Sequence, residues 1–244
     1  MTRANVETNS WPTALLETAC RPYLKAGPGL FAYFFARGKL RVDPVYRALL
    51  ERGLLLGRSR VLDLGCGQGL LTAWLRAAAR LHDLGRWPES WPAPPRPLSI
   101  RGIELMAREV KRARRALGGD VDIETGDICR SDFGAADAVV ILDVLHYLTP
   151  QAQFDVLNRV RSALPAGGLL LLRVGDAGGG LRYRYTRWVD TLVMLLRGHA
   201  WKTLHCRSVA DWQSILHSAG FDCELLPMSQ GTLFANVLLI AHAR

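Results

Sequence analysis

The chain has 244 residues, 49% of them hydrophobic and 22% charged, with a formal net charge of +9. This composition excludes a disordered or fibrous chain and fits one large α/β domain, or one domain with additions, able to bury a sizeable core. No uninterrupted apolar run reaches membrane-spanning length, the N-terminal MTRANVETNSWP lacks a signal-peptide core, and the five scattered cysteines form no C-x-x-C pair. Neither a zinc site nor a disulfide framework is expected, and reduced thiols in a cytoplasm are the simplest reading.

In chain order, residues 11–57 read as helical, with Asp43-Pro44 as a helix start: Asp caps and Pro sits in the first turn. Residues 59–64 read as a strand, and Leu70, Leu71, Trp74, Leu75 and Ala78 mark the helix after it. "GRWPESWPAPPRP" (85–97) is a proline-rich insertion that holds neither helix nor central strand. A second strand follows at 98–104. In the basic helix behind it, Met106, Val110, Ala113 and Leu117 form the apolar stripe, so its cations are expected to face water. Further strands are expected at 121–127, 137–142 and 169–174, with a helix opening at Thr149-Pro150. A Gly-rich turn (175–180) and a helix over 183–197 come next. Ser208 and Asp211 make a capping box for another helix, and two closing strands follow at 222–229 and 235–242.

Alternating strands and helices predict a doubly wound, mostly parallel α/β sheet. With its closing hairpin the sheet is Rossmann-like and seven-stranded. The expected division is an N-terminal helical extension over 1–57, forming a substrate-side cap, and a ligand-binding domain over 58–244.

In such folds the first strand-to-helix turn binds the ligand at the carboxyl end of the sheet. Here that turn is "VLDLGCGQG" (61–69). Gly65, Gly67 and Gly69 strip side chains from it, and the next helix offers its N-terminal N–H groups. The dinucleotide fingerprint G-x-G-x-x-G would need glycine where Leu70 stands, and a Walker loop would need Gly-Lys-Ser/Thr. Asp63, Glu104 and Asp127 fall at the ends of three separate strands. Glycine backbone and carboxylates without a lysine suit a cationic ligand. Each acid also has a plainer role open to it: Asp63 could orient the loop amides, Glu104 could start a helix, and Asp127 could be a turn residue.

"VLDLGCGQG" resembles the first motif of class I S-adenosylmethionine-dependent methyltransferases. "GIE" (102–104), "GDI" (126–128), "ADAVVILDVLHYL" (136–148) and "LPAGGLLLLRV" (164–174) are similar to its later motifs, so the likeness spans about 60–242. The resemblance implies S-adenosylmethionine as cofactor, held by Asp63, Gly65, Cys66, Gly67, Gly69, Glu104, Leu105, Asp127, Ile128 and Leu142. Within this set Glu104 would accept both ribose hydroxyls and Asp127 the adenine amine, while Ile128 packs on the ring. Cys66 reads as a small filler. Gly65 to Glu104 is well beyond the roughly 20 residues of a simple βαβ unit, and the proline-rich insertion accounts for most of the excess. "FFARGKLRVDPVY" and "GTLFANVLLIA" also resemble, faintly, methyltransferases that accompany aryl-polyene and related fatty-acid-like pathways.

Methyl transfer from sulfur is an in-line displacement in which an enzyme mainly supplies proximity and alignment. A base is needed only where the acceptor must lose a proton. His146, after the fourth strand, is the first candidate base and Asp143 the second; His146 can equally be a buried histidine lining the pocket. The fourth strand lacks the N/D-P-P-Y/F of amino-methylating nucleic-acid enzymes and the Cys beside Pro of RNA cytosine-5 enzymes. A small-molecule or carrier-bound acceptor, hydroxyaryl or acyl, is therefore expected. An RNA methyltransferase, supported by net charge alone, and a non-catalytic cofactor-binding scaffold are the alternatives. Tyr33, Tyr147, Arg184, Tyr185 and Trp188 are the candidate acceptor contacts. The segment 181–198 reads as a lid, as a peripheral membrane contact, or as a core helix.

Overall fold

The structure is a computed structural model that describes residues 11–27, 29–175, 204–228 and 236–244. The expected Gly-rich turn beyond Gly175 and the helix expected over 183–197, with Arg184, Tyr185 and Trp188, lie outside the described residues. The chain divides into two compact units, Met1–Asp127 and Ile128–Arg244.

The first unit opens with helices α1 (Trp11–Cys20), α2 (Phe31–Val42) and α3 (Pro44–Glu51), with a 3₁₀ turn, Arg21–Lys25, between the first two. Asp43 caps α3 by accepting from the Val45 N–H at 3.1 Å, with Pro44 in the first turn. Then come β1 (Arg60–Leu64), α4 (Leu70–Asp83), β2 (Ser99–Glu104), α5 (Ala107–Leu117) and β3 (Ile123–Thr125). β1, β2 and β3 pair in parallel, with Asp63 opposite Gly102 and Glu104 opposite Thr125. The proline-rich insertion forms neither helix nor strand, as its composition requires.

The second unit holds β4 (Ala138–Leu142), a 3₁₀ turn (Leu145–Tyr147), α6 (Pro150–Ala163), β5 (Leu169–Gly175), α7 (Val209–Ser218), β6 (Phe221–Pro227) and β7 (Asn236–Ala243). β4 and β5 run parallel, and β7 then β6 add to β5 antiparallel. The continuous burial of AVVI in β4 and LLLLRV in β5 is the signature of strands covered on both faces. The capping box at Ser208 and Asp211 forms as expected. The strand order of the seven-stranded sheet is β3-β2-β1-β4-β5-β7-β6.

Two expectations need correction. β3 is shorter than 121–127, because the chain turns after Thr125 and the Gly126 N–H donates to the Glu104 carbonyl at 3.0 Å. Asp127 therefore stands on a turn. The cations of α5 do not all simply face water. Arg112 lies over the Phe31 ring and pairs with buried Glu109, while Arg114 donates to the Ile123 carbonyl at 3.0 Å.

Candidate functional site

In the first unit, Asp63, the glycine loop and the turn after β2 gather around the Glu104 carboxylate. One oxygen of Glu104 accepts the Gly67 N–H at 2.9 Å and the other accepts the Met106 N–H at 2.9 Å. The Gly65 N–H donates to the Ile103 carbonyl at 2.8 Å. Glu104 thus fixes both the loop after β1 and the turn after β2. Each carboxylate oxygen retains a lone pair for a further donor. The sequence indicated a carboxylate for a ligand but not this clamp.

The glycines serve different ends. Gly67 has φ +56°, and a Cβ built there would meet nothing within 4 Å, so this position is open for close approach. Gly69, at φ +78°, would drive a Cβ to 2.8 Å from Leu117 and 2.9 Å from Ile123. Its role is to let α4 leave the strand against packed side chains, which corrects the expectation that all three glycines clear room for ligand. Cys66 faces inward, in a cluster with Val110, Ala113, Val121 and Ile123, and a Cβ on Gly102 would sit 2.7 Å from its sulfur. The filler reading of its side chain fits this packing.

Asp63 is buried, at 4% exposure, and no ion pair engages it among the described residues. Burial, and then the charge of Glu104, push its carboxyl up to about 7. Such a group is held ionised best by a cation arriving beside it. This donor set, carboxylates on a bare loop, fits a sulfonium cofactor and suits a phosphate poorly. Leu105 is exposed at the end of β2.

The N-terminal helices reach the loop by a route the sequence did not reveal. Buried Tyr23 donates from its hydroxyl to the Gln68 carbonyl at 2.9 Å, and Gln68 Nε2 donates to the Ala32 carbonyl at 3.0 Å. Trp74 Nε1 donates to the Tyr46 carbonyl at 2.8 Å. Each such bond contributes only about 0.5–1.5 kcal/mol net, but together they fasten residues 23–46 to the loop and its helix. Tyr33 is half-buried, edge-on to Phe34 at 5.4 Å.

In the second unit, β4 ends at Leu142, which is half-buried, and runs into Asp143, the one non-glycine residue with positive φ (59°) among those described. Its carboxylate receives Arg173 in a two-pronged pair: Nε donates to Oδ1 at 2.8 Å and Nη2 to Oδ2. Arg173 is 1% exposed. The expectation of Asp143 as second base is corrected on this ground. Its carboxylate neutralises a buried guanidinium, so a proton placed on it would strand that charge.

His146 follows in the 3₁₀ turn, buried, with its ring 4.1 Å from that of half-buried Tyr147. Fully buried Gln153 fixes this turn: the two N–H donors of its Nε2 are shared among the carbonyls of Leu145, Leu148 and His205 at 3.0, 3.2 and 2.8 Å, while Oε1 accepts from Arg207 Nε at 2.7 Å. Ile128 is buried, and its carbonyl accepts from Arg159 at 2.8 Å. A polar residue inside an amphipathic helix carries no sequence mark of such a role.

The family described as "Methyltransferase domain" matches residues 62–170. A carboxy-S-adenosyl-L-methionine synthase of Chromohalobacter salexigens is 34% identical over 129 residues, 51% of this chain and 42% of that protein. The chain thus spans less than half the length of that relative. An O-methyltransferase family protein from Burkholderia thailandensis superposes with a TM-score of 0.60 at 20% identity, over 86% of this chain and 58% of that one. The magnesium protoporphyrin IX methyltransferase of Synechocystis, solved with bound SAH, gives 0.57 at 19% identity over 100% of both chains. These structures share the fold.

Proposed function

We propose that this chain, which carries a class I S-adenosylmethionine-dependent methyltransferase domain, binds S-adenosylmethionine and transfers its methyl group to a small-molecule or carrier-bound acceptor, at oxygen. The observation that carries the reading is the Glu104 clamp on an open Gly67, beside a buried Asp63 with no cationic partner among the described residues. The cofactor supplies an electrophilic methyl group. Glu104 receives the ribose hydroxyls on its remaining lone pairs, Asp127 the adenine amine, and Asp63 offers its charge to the cationic end. Leu105, Ile128 and Leu142 are assigned as apolar walls. His146 is assigned the acceptor's proton; Asp143 and Arg173 hold the turn that carries it.

Helices α1 to α3 act in this reading as a cap on the substrate side, a role supported by the bonds that the 3₁₀ turn and α2 make to the glycine loop. Tyr33 and Tyr147, with Arg184, Tyr185 and Trp188, are the proposed acceptor contacts. No helix among the described residues is long and apolar enough to cross a membrane.

The test is methyl transfer from labelled cofactor to a panel of hydroxyaryl and acyl acceptors, with His146→Ala as control. A second reading, carboxylation of the cofactor itself, is favoured by the 34% identity to a carboxy-S-adenosyl-L-methionine synthase. The fate of the cofactor separates the two: a demethylated product under the first, a carboxylated one under the second.

A further inference from the structure

We propose that the first unit holds a second ligand site, for a small phosphate-bearing anion, at the far end of α4 from the glycine loop. A cavity of about 420 Å³ lies there, lined by Arg21, Lys25, Arg80, Arg86 and Arg115. Its volume falls among those of small-ligand sites, about 300–1,000 Å³. Arg80 stands ten residues beyond Leu70, so at 1.5 Å per residue it is about 15 Å along the helix from the loop.

The wall contains no carboxylate, and among the described residues none of the five cations forms an ion pair. The acid nearest in sequence, Asp83, already receives Arg96. Arg86 and Arg96 both come from the proline-rich insertion, which thus adds one cation to the cavity and neutralises its neighbouring acid. Leu81 and Leu84 supply an apolar surface, and Leu84 is 57% exposed.

Helix ends do not account for this charge. Residues at the C-terminal ends of α4 and α5 line the cavity, and two helix C-termini offer about one unit of negative partial charge. The last carbonyl of α5, Leu117, is already capped by Arg76 at 2.8 Å. Five cations therefore exceed what two helix ends require. Four of them are arginines, whose planar forks match phosphate oxygens two at a time. Leu81 and Leu84 give the organic part of such an anion an apolar seat.

The experiment is calorimetric titration of the full chain with inorganic pyrophosphate, at ionic strength held constant with chloride. Saturable binding near one site per chain is expected. Arg21→Gln and Arg86→Gln should each weaken it by about tenfold or more, while Arg47→Gln, which is outside the cavity, leaves it within about twofold. Thermal melts confirm that each variant folds. Heat that is unsaturable, or equally weakened by all three variants, would show nonspecific attraction and overturn the site. Binding of a single-stranded RNA with the same variant pattern, without pyrophosphate binding, would also overturn it and assign the face to nucleic acid.

Discussion

Asp63 and Asp143 stand in similar places, at the carboxyl ends of β1 and β4, and their environments are opposite. Asp63 is buried with no ion pair among the described residues, and its carboxyl is pushed up to about 7. Asp143, partly exposed and in the left-handed region, holds both prongs of buried Arg173. A carboxylate without a protein cation awaits a charge from outside, whereas one paired with an arginine is already part of the scaffold. This contrast is what supports the proposed ligand-facing role of Asp63 and the proposed positioning role of Asp143.

The largest expected effect concerns His146, the proposed base. His146→Ala should lower turnover by about 100- to 10,000-fold with cofactor affinity nearly unchanged, as removal of a general base does. With a phenolic acceptor, the deficit should shrink as pH rises toward about 10, where the phenol ionises unaided. A loss under about tenfold in steady-state kinetics would return His146 to a packing role.

Asp143→Ala should destabilise the fold by about 3–5 kcal/mol, because it strands a buried guanidinium. Arg173→Met with Asp143→Asn should recover much of that in denaturant titration. A loss near zero for Asp143→Ala would mean that the pair is not structural.

Glu104→Ala should weaken cofactor binding more than Asp127→Ala. Glu104 holds the loop and, in the proposed function, receives two hydroxyls, and each charged hydrogen bond is worth about 1.5–3 kcal/mol. Equal losses for the two variants would remove the clamp from the account.

The smallest effect concerns Asp63 and the free protein. Its folded carboxyl is raised from 3.8 to about 7, so the folded state holds a proton that the unfolded state has lost. Stability should be greatest below about 4 for this group and fall as pH rises through 7. Asp63→Asn should flatten that slope in melts taken at pH 5 and pH 8. An unchanged slope would show that Asp63 ionises freely.

Much of this was legible in the sequence, because the parallel strands are continuous apolar runs and the glycine loop follows the first of them. Asp43-Pro44, Thr149-Pro150 and the Ser208–Asp211 box each set a helix start through local chemistry, and local chemistry needs no tertiary context. What was hidden depends on contacts far apart in the chain. The Arg173–Asp143 pair, the Tyr23–Gln68 bond and the Gln153 hub join residues 30, 45 and 52 positions apart. Gly69 could not be told from Gly67 by spacing, since the difference lies in the Leu117 and Ile123 side chains beside it.

The central claim is that a cationic cofactor meets Asp63 on the glycine loop. Calorimetry of S-adenosylmethionine binding at pH 6 and pH 7.5 tests it most directly, with Asp63→Asn alongside. For a carboxyl near 7 that must ionise to receive the ligand, affinity should rise about eightfold between those pH values, with proton release, and the variant should show no such rise. Binding of NAD without binding of S-adenosylmethionine, or a pH response identical in wild type and variant, would contradict the account.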